Sequence, residues 1–313
     1  ADRAPTIAAT IELLPRPPTA GKSRLADRLV EGAWIRCVEI APPRGWSLEA
    51  TLEAARRCRE AGVDAINVPD GPRASARLSP FYTALAIQRK AGIEVILHFC
   101  SRDKSLLAMQ ADLLGCAAAG IRNILFITGD PPKLGDFPFS SAVFDADSIG
   151  MVKIQDHMNR GVDIGGRRLD SPTKALIGVG ADPNAIDMAR ELRRLREKVA
   201  AGAEFVITQP VFAVEPLERF LDAIADLHVP VIAGVWPLAS LRNAEFMRNE
   251  VPGVVVPDDV MRRMAAAPAK GPSTFTVDSG PVGRMLAWAH GTSGLQQACL
   301  PSLAPDTSLW GKM

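Results

Sequence analysis

Glu39 stands inside the apolar run VEIAPP, flanked by Val38 and Ile40. A carboxylate among such neighbours is costly unless it is paired or keeps its proton. A structural ion pair would satisfy it. A carboxyl with a raised pKa would instead suit a general acid. The same pattern recurs along the chain. Apolar runs end in INVPDGP with Asp70, ILHFCSRD with His98, FITGDPP with Thr128 and Asp130, GVGADPNA with Asp182, VITQPVF with Gln209, and AGVWPLAS with Trp236. Each polar residue also has a plain structural explanation. The three aspartates could cap a following helix or turn, and His98 could be a satisfied core histidine.

Absences narrow the chemistry. No Lys closes an apolar run, against a Schiff-base aldolase. No HxH pair follows the first run and no Cys pair ends one, so no metal site is expected. The seventh run lacks a glycine-rich phosphate cradle. What remains is one enclosed acid among amide and carboxylate hydrogen-bonders, a site that would leave the hard chemistry to an organic cofactor.

Such residues converge only if something aligns the ends of the runs. REAGVDAINV, RKAGIEVILH, AAAGIRNILF and VAAGAEFVIT each place a glycine (Gly62, Gly92, Gly120, Gly202) between a helical pattern and an apolar run. The first three glycines recur at roughly 30 residues, the length of one βα unit. Strands are expected at 35–41, 64–68, 94–99, 123–128, 174–180, 204–209 and 230–235. All are apolar on both faces, as in a parallel sheet covered by helices. The helices between them carry apolar stripes, such as Leu217, Phe220, Leu221 and Ile224. No GxGxxG follows the first strand, which removes support for an open dinucleotide-binding sheet. The expected fold is an α/β (β/α)8 TIM-type barrel, whose active site would lie at the C-terminal strand ends. Its eighth βα unit is atypical or incomplete, TFTVD at 274–278 being the sole strand candidate.

Three regions are expected: a Pro-rich linker over 1–22, the barrel over 23–267, and an atypical tail over 268–313. The loops 129–147 and 161–173 are long enough to suggest function. The chain has 313 residues, 47% of them apolar, enough for a large core without disulfides. A formal charge of +1 and 5% aromatic content give no footing for nucleic acid. No apolar run is long enough for a membrane span. Five cysteines without a CxxC read as reduced thiols of a cytoplasmic protein.

VEIAPP at 38–43, TGDPP at 128–132 and ITQPVF at 207–212 resemble the signature segments of methylenetetrahydrofolate reductases. DAINVPDGPRASARLS, GIEVILHF, VFDADSIGMVKI and RNAEFMRNEVPG resemble in particular the reductase half of bifunctional homocysteine methyltransferase/reductase proteins. The likeness runs from about residue 24 to 264. It implies a barrel that binds FAD and takes hydride from NADH or NADPH. Reduced flavin would then pass that hydride to 5,10-methylenetetrahydrofolate, giving the 5-methyl form. By motif position, Glu39 would be the general acid and Asp130 the aspartate beside flavin and pterin. His98, Thr128, Gly129, Asp130, Glu191 and Lys198 would bind FAD. Gln209 would contact the substrates, and a stacking Phe is implied where Phe246 precedes Met247. The likeness also implies a folate substrate, a fused or associated homocysteine methyltransferase, and a homo-oligomer. Two other readings stand beside it: a non-catalytic barrel that binds folate or a partner, and a flavin-free pterin-binding methyltransferase.

Overall fold

The computed structural model describes residues 12–238, 240–251 and 254–266, and the backbone of 297–299. Eight strands form a closed, wholly parallel barrel in sequence order. They are β1 (Ile35–Glu39), β2 (Ala65–Val68), β3 (Glu94–Cys100), β4 (Asn123–Ile127), β5 (Leu176–Ala181), β6 (Phe205–Pro210), β7 (Val231–Gly234) and β8 (Gln297–Cys299). The helices are α1 (Arg24–Val30), α2 (Glu49–Glu60), α3 (Pro80–Ala86, run on by a π turn), α4 (Leu106–Ala119), α5 (Ser148–Asn159), α6 (Met188–Ala201), α7 (Val214–Ala223), α8 (Leu241–Glu250) and α9 (Asp258–Ala266). Seven strands fall where the apolar runs predict them, with ends shifted by up to two residues. The closing strand lies at 297–299, pairing with both β1 and β7. The candidate at 274–278 lies outside the described residues.

Alternation along each strand divides the core in two. Ile35, Cys37, Ala65, Ile96, Leu125, Leu176, Phe205 and Ile232 fill the barrel interior. Leu25, Ala26 and Leu29 of α1 pack against them and plug the N-terminal end. Complete burial of each of these leucines contributes about 1.5–3 kcal/mol. Gly178 makes room for the largest interior ring: a Cβ there would lie 2.2 Å from Phe205 Cζ. The other strand face meets the helices in a larger shell that includes Val38, Ile66, Val95, Ile124, Val179 and Val206.

Residues 12–22, expected as linker, run across the plugged end. Arg16 Nε donates to Asp156 Oδ1 at 2.8 Å, and its Nη2 reaches the carbonyls of Ala200 and Ala201. Lys22, buried, pairs with Glu204 at 2.7 Å. Ser23 caps α1 and donates through Oγ to Asn123 Oδ1 at 2.6 Å. Among the described residues no helix is long and apolar enough to cross a membrane, and no group of three or more His, Cys, Asp or Glu is arranged to hold a metal ion.

Candidate active site

The polar residues of the mouth come from the C-terminal strand ends, opposite the α1 plug. Below them the interior is mostly hydrocarbon, with Asn123 at the foot of β4 meeting Ser23 of the plug. At the top of β1 the inward position is Glu39, and its register partner on β2 is Asn67. One strand on, His98 places Nε2 3.2 Å from Asn67 Oδ1. Burial drives the His98 pKa down to about 4. The imidazole is therefore neutral near pH 7, so Nε2 donates to Asn67 and Nδ1 remains an acceptor.

Glu39 has no cation and no hydrogen-bond partner among the described residues. Water reaches it through the open mouth, so by surface area it is exposed. The barrel walls nevertheless enclose its carboxyl, and enclosure governs the proton more than contact with a few waters does. Desolvation pushes its pKa up to about 7. No described residue supports the ion-pair explanation for Glu39. A carboxyl poised near neutrality is able to give a proton and take one back.

Of the three aspartates that could cap a following helix or turn, Asp182 does so and the other two do not. Helices α3, α5 and α6 are capped by Ser79, Asp147 and Asp187. Asp182 does hold a local turn, accepting from Asn184 N at 2.8 Å. Asp70 ties β2 to β3 by accepting from Cys100 N at 3.0 Å, and burial raises its pKa. Asp130 reaches across the mouth instead: its Oδ2 accepts from Arg73 N at 3.0 Å. The Arg73 guanidinium in turn lies 5.2 Å from the ring centre of Phe246 on α8. Phe246 thus presents a face toward the β2–α3 loop, while Met247 beside it is buried under α8.

Gly129 and Thr128 set the exit of β4. Gly129 adopts φ 91, and a Cβ there would stand 2.0 Å from Cys100 Sγ. The thiol is no nucleophile, since burial lifts its pKa to about 11. It donates to the Thr128 carbonyl at 3.3 Å, and Ser101 Oγ donates to the same oxygen. The Thr128 hydroxyl accepts from Ser148 N at the start of α5. Buried Arg102 braces this corner by donating to the carbonyls of Gly71 and Asp130 at 3.2 and 3.3 Å.

Glu191 and Lys198 come from α6 and meet the backbone at the end of β5. Glu191 Oε1 accepts from Asp182 N at 3.0 Å, and Lys198 Nζ donates to the Gly180 carbonyl at 2.8 Å. Burial lowers the Lys198 pKa. Gln209 sits at the bulged end of β6, where register with β7 shifts between Ile207 and Pro210. Its exposed amide has no partner among the described residues. Thr208 holds the bulge by accepting from Gly234 N at 2.9 Å and donating to the Gln209 carbonyl. A bulge next to a site re-aims the side chain it carries.

The structure therefore sets Asn67, which bonds His98, beside Glu39 in the strand register, and links Asp130 to Phe246 through Arg73. Sequence reasoning missed both connectors. Asn67 is the one polar residue in AINV, two places after inward-facing Ala65, and that alternation was a usable signal. A shallow hollow on the solvent side of α2, lined by Glu49, Leu52, Glu53 and Arg56 among others, lies outside the barrel and carries no convergent chemistry.

Known proteins resemble this chain in sequence, and others in fold. The sequence model described as methylenetetrahydrofolate reductase matches residues 24–275. The chain is similar to the 5,10-methylenetetrahydrofolate reductase of Salmonella typhimurium, 25% identical over 219 residues, covering 69% of either chain. It is also similar to the probable methylenetetrahydrofolate reductase (NADH) of Oryza sativa, 22% identical over 244 residues and 74% of this chain. To methylenetetrahydrofolate reductase 1 of Schizosaccharomyces pombe it is 25% identical over 181 residues and 56% of this chain. The chain spans only 40% of the rice protein and 28% of the fission-yeast one. Among solved structures, 2,3-dimethylmalate lyase, a PEP mutase/isocitrate lyase superfamily member, aligns with a TM-score of 0.51 at 10% identity. That alignment covers 90% of this chain and 80% of the other, and it shows the barrel fold alone.

Proposed function

This chain belongs to the methylenetetrahydrofolate reductase family, and from that premise we propose that it reduces 5,10-methylenetetrahydrofolate to the 5-methyl form, with hydride from NADH or NADPH carried through FAD. The observation that supports this best is Glu39: a carboxyl at an inward strand end with no partner among the described residues, its pKa raised to about 7 by enclosure.

The mouth suits a flavin on one further observation. The inward position at the end of β5 is Gly180, and a Cβ there would meet nothing nearer than Ile127 Cγ2 at 3.9 Å. A planar ring has room above that apolar floor. The residues that would hold the cofactor are His98, Thr128, Gly129, Asp130, Glu191 and Lys198. Bound FAD would supply the hydride relay, since no side chain here is a hydride carrier.

The rest is work for the chain's own groups. Neutral Glu39 gives its proton to the bridged nitrogen of the folate, which opens the five-membered ring toward an electrophilic iminium. Asn67 and His98 line the same wall and stay uncharged, so they do not compete for that proton. Asp130 contributes fixed negative charge where the cofactor and the pterin would meet. Gln209 offers one donor and one acceptor to the ligand, and Phe246 offers a stacking face.

Two anaerobic half-reactions test the proposal. The chain loaded with FAD is mixed first with NADH or NADPH, and bleaching of the flavin is followed. The reduced protein is then mixed with 5,10-methylenetetrahydrofolate, and return of the colour is followed together with 5-methyl product. Bleaching and recovery support the reading. Failure to bind FAD, or reduced flavin that folate leaves untouched, overturns it.

A further inference from the structure

Arg73 lies in the short turn Pro72–Ala74 that leads from β2 toward α3. Its backbone stands at φ 58 and Ala74 follows at φ 49. Two adjacent non-glycine residues in the left-handed region are strained, and strain of that kind persists only where the surroundings over-determine it. Here they do. Asp130 takes the Arg73 N–H. Asp136 N donates to the Ala74 carbonyl at 3.3 Å, and the Asp136 carboxylate accepts from Ser75 Oγ and Ala76 N, both at 3.3 Å. The long β4–α5 loop thus clamps the base from which this guanidinium projects.

The guanidinium itself has an unusual companion. Three other exposed arginines meet carboxylates: Arg44 pairs with Asp136, Arg196 with Asp226 and Arg248 with Asp258. The Arg73 guanidinium has no acidic partner among the described residues and rests instead on the face of Phe246. That contact is weak at an exposed site and readily exchanged for a charged one. A ring that stacks on Phe246 must also displace the cation, which then stands beside the newcomer with its donors free.

We propose that Arg73 is a specificity residue of the mouth, selecting substrates that carry an oxyanion beside a planar ring. The ring takes the Phe246 face and the guanidinium turns to the carboxylate or phosphate. The inference rests on the reading above for the identity of those ligands. A carboxylate would come from the glutamyl tail of the folate, and a phosphate from the reduced nicotinamide dinucleotide.

The test uses the full chain with FAD and two variants. Arg73→Gly suits the left-handed backbone and removes the cation, while Arg73→Lys keeps the charge without the fork. Dissociation constants for folates of one and of several glutamates, and for NADH and NADPH, are measured at equilibrium beside the two half-reactions. In Arg73→Gly at least one of these constants should rise about 10- to 100-fold, the effect of losing a charge-assisted contact. Its thermal midpoint should equal or exceed that of the wild type. Arg73→Lys should recover part of the affinity, and added salt should weaken wild-type binding more than binding to Arg73→Gly. A loss confined to folate that grows with glutamate number assigns the carboxylate. A loss confined to the dinucleotide assigns the phosphate. Constants within about twofold of wild type for every ligand overturn the proposal, as does a uniform loss accompanied by a lower thermal midpoint. Wild-type protein that binds these ligands through Arg73 but reduces no folate would sink the proposed function and leave Arg73 standing.

Discussion

Asn67 sits between two groups that titrate in opposite directions: it is the register partner of Glu39 and holds His98 Nε2 at 3.2 Å. Enclosure raises the acid to about 7 and lowers the base to about 4. At neutral pH the wall formed by β1, β2 and β3 can thus hold one transferable proton with no net positive charge. Glu39 does not depend on a nearby cation, so its poise comes from the depth of the barrel end itself.

Glu39→Gln separates the two half-reactions. Flavin reduction by NAD(P)H should stay within a few-fold of wild type. Folate reduction should fall about a hundredfold to ten-thousandfold, the range for a lost general acid. Stopped-flow absorbance of each step checks this, and equal losses in both would remove Glu39 from the assigned role. In wild type the folate step should slow as pH rises through about 7, because the proton is then gone; the variant should show no such break.

Stability carries the same signature. A carboxyl whose folded pKa lies above its ordinary 4.5 binds its proton more tightly in the folded chain. Its contribution therefore declines as pH rises from about 4.5 to 7. His98 runs the other way, from an ordinary 6.5 down to about 4, and its contribution declines as pH falls through that interval. The two partly cancel between 4.5 and 6.5, so wild type alone is a poor probe. The difference in thermal midpoint between Glu39→Gln and wild type should shift in favour of the variant from pH 5 to pH 8. A constant difference would contradict the raised pKa.

Asp130→Asn keeps an acceptor for Arg73 N and removes the charge. The loop should hold its shape while both flavin reduction and folate affinity change, the latter by roughly tenfold or more, as expected for a contact to a charged group. Rates and affinities at wild-type values would place Asp130 outside the site.

Gly129→Ala meets two obstacles, a φ of 91 and the Cys100 sulfur 2.0 Å from the new Cβ. The cost should be about 3 kcal/mol, part left-handed strain and part overpacking. Urea denaturation measures it. Adding Cys100→Ala should restore the steric part only, and full restoration would mean that the backbone conformation costs nothing.

Lys22→Met tests the strap across the plugged end. It leaves the largely buried Glu204 without its cation, and a broken pair of this kind costs about 3–5 kcal/mol. Glu204 still accepts from Thr19 Oγ1 and Ile177 N, so the lower end of that range is expected. A loss below about 1 kcal/mol in the same denaturation assay would show that the segment is only loosely seated.

Much of this was legible in the chain because barrels write themselves locally. Four glycines after helices, each followed by an apolar run, set the repeat, three further apolar runs bring the strands to seven, and barrel geometry then carries Glu39, His98, Asp130 and Gln209 to one end. What escaped was non-local. Arg73 reads like any loop arginine in PRASAR, since its meaning comes from a left-handed backbone and from Phe246, on a helix far along the chain. The eighth strand, at three residues, is too short to show a period. Asn67 gains its meaning only from the register that sets it beside Glu39.

The three residues of β8 complete the ring by joining β1 to β7. Until they are made, the first strand has a neighbour on one edge only. Contacts between such distant parts of a chain form slowly. Closing the ring is therefore expected to be a late step of assembly, reached after the βα units that carry Glu39, His98 and Asp130 have formed.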